Sequence, residues 1–79
     1  MNKADLGIIK KEKSLDKGIL YLSEMLQSTY VVLLEGNNKE IVYSRMFPFT
    51  ESTKKNQHKI AYDFFKRILQ EKDLNNLDL

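Results

Sequence analysis

Seventy-nine residues with 13 Lys+Arg and 11 Asp+Glu give one small domain with a formal charge of +2. The absence of Cys and the presence of a single His exclude disulfides, thiolate zinc sites, a Cys nucleophile and a metal cluster built from several histidines of one chain. A hydrophobic content of 42% is too high for a disordered polyelectrolyte and close to the least that forms a core at this length.

The first residues do not read as a secretory leader, because the apolar stretch at Leu6, Ile8 and Ile9 stops at Lys10. The longest apolar run, residues 30–34, is far too short to span a bilayer. Asn2 excludes N-myristoylation. A cytoplasmic, intracellular protein is expected, with no membrane partner. Residues 1–79 read as a single domain with frayed ends at 1–5 and 73–79.

In chain order, residues 14–27 read as a helix. Leu15, Ile19, Leu22 and Leu26 recur at the spacing of one helical face, Ser14 is a candidate N-cap, and Asp16 suits the first turn. Residues 29–34, rich in β-branched and aromatic types, predict a strand. Residues 35–39 predict a turn, since Gly and Asn tolerate positive φ. Residues 40–47 predict a second strand, ended by Pro48, which lacks an N–H. The last element is a helix to about residue 71, capped by Ser52 or Thr53. Its apolar stripe is Ile60, Ala61, Phe64, Phe65, Ile68 and Leu69.

The expected fold class is therefore α+β: helix, β-hairpin, long amphipathic C-terminal helix. An isolated hairpin is marginal in water. Residues 6–10 could supply a third strand, or the hairpins of two chains could join in a homodimer, and the sequence leaves both open.

Charge is uneven along the chain. Residues 1–43 carry six Lys and six acids. Residues 44–67 carry Arg45, Lys54, Lys55, Lys59, Lys66 and Arg67 against Glu51 and Asp63. On the last helix Lys55, Lys59, Tyr62 and Lys66 follow i, i+4, i+7, i+11, with His58 at the edge of the stripe. Lysines so spaced can track phosphates, and a tyrosine among them can stack on a base. A charged outer face is also what any soluble helix needs. Lys54 and Lys55 lie where cations oppose the helix dipole, which suggests an anion docked at that terminus.

The stretch Lys54-Lys55-Asn56-Gln57-His58-Lys59-Ile60-Ala61, preceded by a hairpin, resembles the end of the double-stranded RNA-binding domain. That family's last helix opens on a Lys-Lys-x-Ala-Lys-x-x-Ala-Ala pattern. Residues 22–27 look like its first helix. The resemblance covers residues 15–70. The family's first strand and its Gly-Pro-x-His loop have no counterpart between Gln27 and Thr29, and Gln57 replaces an alanine. It implies phosphate contacts from Lys54, Lys55 and His58, Glu24 in an RNA minor groove, and duplex RNA favoured over DNA. A short sheet before a helix is also similar in architecture to the arm-binding domains of mobile-element integrases, which implies Lys39, Tyr43 and Arg45 as base readers.

Catalysis is not expected. His58 has no recognisable triad partners near Ser52, and Glu35 and Glu40 flank an exposed turn. No phosphate-binding glycine loop or metal motif appears, so no cofactor is implied. The leading expectation is a nucleic-acid-binding module using the last helix and the second strand. The alternative is a small protein-binding regulator or inhibitor of phage or mobile-element type. It would dock through its hairpin edge, with Tyr30, Val42, Tyr43, Phe47 and Phe49 at the interface.

Overall fold

The computed structural model describes residues 6–26 and 28–70. Four strands, β1 (Ile8–Leu15), β2 (Gly18–Met25), β3 (Thr29–Gly36) and β4 (Ile41–Pro48), form one antiparallel sheet in sequence order. A helix, α1 (Lys54–Gln70), follows. The fold is α+β, as the sequence predicts, but with one helix rather than two among the described residues.

The expected helix over 14–27 is overturned. Residues 18–25 are the strand β2, reached from β1 through a turn at Asp16 and Lys17. The physical reason is burial on both faces. Leu20, Tyr21 and Leu22 are all fully buried, Leu20 and Leu22 on one side of the sheet and Tyr21 on the other. A central strand covered on both sides loses the alternation that marks a half-buried one. Its apolar residues then match a helical face by coincidence, and Leu26, counted in that face, is 92% exposed. Gly18 makes the turn work. Its φ of 148° lies outside the range of ordinary side chains, and a Cβ there would collide with the Glu35 carbonyl.

The hairpin at 29–47 forms as expected. Its turn closes with the Gly36 N–H donating to the Glu40 carbonyl at 2.7 Å, and Lys39 takes the positive φ (66°). The hairpin gains two further strands, β1 and β2, from within the chain. Residues 8–10 do join it, as the start of a strand that continues to Leu15.

The α1 helix packs across β2, β3 and β4. Its Ala61, Phe65 and Ile68 fill the space above Leu20, Leu22, Tyr30, Val32 and Leu34, with Tyr43 and Phe47 from β4. Burying a large apolar side chain in this way is worth about 1.5–3 kcal/mol. Phe64 and Leu69 flank the stripe as expected. Ile60, counted in that stripe, is instead 49% exposed. Thr53 is the cap, because its carbonyl accepts the first helical bond from the Gln57 N–H at 3.0 Å. Its Oγ1 accepts from the Thr50 N–H at 2.8 Å, which fixes the approach of the chain to the helix. On the opposite face of the sheet Leu6, Tyr21, Val31 and Leu33 form a second buried cluster. The frayed ends expected at 1–5 and 73–79 lie outside the described residues.

Candidate nucleic-acid interface

Strand parity separates charge on β1. Lys11 pairs with Leu22 and Lys13 with Leu20, so both lie on the helix side of the sheet. Glu12 pairs with Tyr21 and lies on the other side. The register shift between Ile9 and Lys11 sets Lys10 as an extra residue, and its ammonium reaches Glu24 on β2 at 3.6 Å. The strand is exposed over nearly its whole length. It forms a lysine-bearing shelf beside the helix.

The facing shoulder of α1 carries rings. Tyr62 has the Lys11 ammonium 5.4 Å and the Lys66 ammonium 5.0 Å from its ring centroid, so sheet and helix each send a cation to one tyrosine. His58 stacks on Tyr62 at 6.3 Å, Tyr30 meets His58 edge-on at 5.1 Å, and Phe49 lies on Tyr30 at 4.7 Å. Phe49, Tyr30, His58 and Tyr62 thus form a continuous row of rings. The row runs from Phe49, just after β4, over Tyr30 on β3 to His58 and Tyr62 on α1, and its Tyr62 end faces β1; Tyr30 is buried as its floor and the other three are half-buried. Lys55 and Lys59 continue the shoulder outward at the spacing of Tyr62 and Lys66, and both are exposed.

Near the start of α1 the Glu24 carboxylate takes a 3.0 Å ion pair from Lys54. The hydrogen bond from Lys54 holds Glu24 below the usual carboxylate range, against its partial burial, and the Lys10 charge adds to the effect. The same hydrogen bond raises Lys54 above the usual lysine value. Burial, then the neighbouring Glu24 charge, pushes the Tyr30 hydroxyl up. The anion expected near the helix start is therefore provided by the chain itself. Glu24 offsets the misplaced charge of Lys54.

The residues singled out from sequence divide by position. Lys54, His58, Tyr62, Lys66 and Glu24 come together along the seam, with Lys55 and Lys59 on its outer lip. Arg45 does not join them. Its guanidinium lies over Phe64 at 4.9 Å and Phe47 at 5.4 Å, on the opposite shoulder of the helix. Of the protein-facing set, Tyr30, Tyr43 and Phe47 are core residues, Phe49 is half-buried, and Val42 is exposed at 48%. Residues 22–25, compared with a first helix of the RNA-binding family, are strand.

Lys10, Lys11 and Lys13 were missed because residues 14–27 were assigned to a helix, which removed the partner strand of β1. The signal was present: Lys-Lys-Glu-Lys alternates charge with a period that segregates it on a strand, and Asp16-Lys17-Gly18 has turn chemistry.

No family model, curated protein or solved structure matches this chain.

Among the described residues no helix is long and apolar enough to cross a membrane. Nor, among them, do three or more His, Asp or Glu side chains gather as metal ligands would.

Proposed function

We propose that the protein is a non-enzymatic nucleic-acid-binding module and that the seam between β1 and α1 is its binding surface. One observation carries the reading: a row of rings that ends in Tyr62, which has Lys11 from β1 and Lys66 from α1 beside it. Ammonium groups on either side of a groove neutralise a phosphate backbone, and rings between them provide faces for bases. The same arrangement favours an unpaired strand over a duplex. Stacking on Tyr62 or His58 needs a base whose face is free, and a duplex hides its faces. Duplex RNA, implied by the family resemblance, would use the lysines but not the rings.

The test is a binding titration against duplex RNA, duplex DNA and single strands of each, at low and moderate salt. Single strands should bind tightest, and Tyr62→Ala should weaken them by about 1–3 kcal/mol. Duplex preference with an inert Tyr62→Ala would move the function to phosphate tracking alone. No binding at low salt would remove the proposal.

A further inference from the structure

The seam ends, near the start of α1, in a hollow of about 200 Å³. Its walls are apolar at Ile8, Met25 and Leu26, with the Phe49 ring beside them. Its polar edge is the Glu24–Lys54 pair, with Ser28 and Glu51 also on the lining. Neither the phosphate contacts nor the stacking row accounts for this combination. Ile8 and Leu26 are 55% and 92% exposed, so the hollow has an apolar rim facing solvent.

We infer that this hollow accepts a single unpaired guanine, with Glu24 and Lys54 reading its Watson–Crick edge. The inference rests on the nucleic-acid reading of the seam and deepens it. The Phe49 ring on its border offers a face to a planar base. It lies at the end of the Phe49–Tyr30–His58–Tyr62 row, where a strand following the rings would deliver one.

The choice among bases follows from hydrogen-bond chemistry. An ionised carboxylate only accepts, and its two oxygens match two adjacent donors. Guanine presents two such donors, its ring N–H and its exocyclic amine. Adenine and cytosine each offer one donor beside an acceptor, and uracil and thymine one donor between two acceptors. Next to guanine's ring N–H lies its carbonyl oxygen, an acceptor suited to an ammonium. Lys54, 3.0 Å from one Glu24 oxygen, would donate to that carbonyl once Glu24 takes the two donors beside it. Lys10 stays on the other carboxylate oxygen and keeps Glu24 charged. Any other base would leave a partly buried carboxylate facing a lone pair.

The experiment uses the full chain and fluorescent thymidine and uridine dodecamers carrying one central guanine, adenine, cytosine or hypoxanthine. Hypoxanthine is guanine without the exocyclic amine. Guanine should bind about tenfold or more tighter than the others, with hypoxanthine losing most of that margin. Glu24→Gln should erase the preference and, because it frees Lys10 and Lys54 from their ion pairs, should bind the plain dodecamers at least as tightly as wild type, its folding checked by circular dichroism. Ser28→Ala, at the rim of the hollow, serves as a second variant that should keep the preference. Binding without guanine preference would overturn the pocket and leave the seam standing. Preference surviving Glu24→Gln in a folded protein would overturn the assignment of Glu24. Failure of every dodecamer to bind at low salt would overturn the seam and the pocket together.

Discussion

Replacing Lys11 and Lys66 by Gln removes the two cations that meet over Tyr62, one from the sheet and one from the helix. Lys10 and Lys54 are engaged by Glu24, which leaves Lys11, Lys13, Lys55, Lys59 and Lys66 to face phosphates. Each phosphate neutralised on a single strand contributes about 0.7 to the slope of log affinity against log salt, so five give a slope near −3.5. Affinity should then fall about a hundredfold between roughly 50 and 200 mM salt. The double variant should show a slope near −2.1, so its loss over the same range is only about twentyfold. Wild type and variant should therefore differ most at low salt and converge as salt rises. Fluorescence anisotropy with a labelled dodecathymidine, at four or more salt concentrations, measures both slopes. Lys39→Gln, in the turn beyond β3, is the control and should leave the slope unchanged. An unchanged slope in the double variant, or an equal change in the Lys39 control, would refute placement of the strand along the seam.

Further outcomes follow from the packing and the charges. Phe65→Ala removes a core ring between α1 and the sheet and should cost about 3–5 kcal/mol in urea unfolding. Gly18→Ala should cost about 1–3 kcal/mol, because φ there is 148° and a Cβ would meet the Glu35 carbonyl. Glu24 has a depressed folded-state pKa, so its stabilisation is present above the ordinary glutamate value of 4.5 and is lost as pH falls below it. Glu24→Gln should therefore lower thermal stability slightly at neutral pH, flatten its fall through that acid window, and match wild type at the acid end.

What could be seen in the sequence, and what could not, has a common cause. The α1 helix was legible because Ala61, Phe65 and Ile68 face the sheet while lysines face water, a one-sided burial that writes a clear period. Thr29 to Leu34 was legible from its β-branched and aromatic content. The β2 strand was not, because Leu20, Tyr21 and Leu22 are buried without alternation and leave no period of two to find. The strand β1 was obscured for the opposite reason, since it buries almost nothing and carries its information in charge parity. The candidate site inherited that division. Its helical half, Lys54 to Lys66, could be read directly, whereas its sheet half needed the pairing of Lys11 with Leu22.

The strand order of the sheet also governs how the protein comes together in time. Every strand pairs with its neighbour in sequence, across connections of a few residues. Closing such short loops costs little chain entropy, so the sheet can zip hairpin by hairpin and reach its native pairing quickly for a β-rich protein. The helix comes last in the chain and needs β2, β3 and β4 as its floor. A chain with its sheet formed and its helix undocked would display the β1 lysines without their aromatic counterparts. Binding competence would then arrive with helix docking, as the last step of folding.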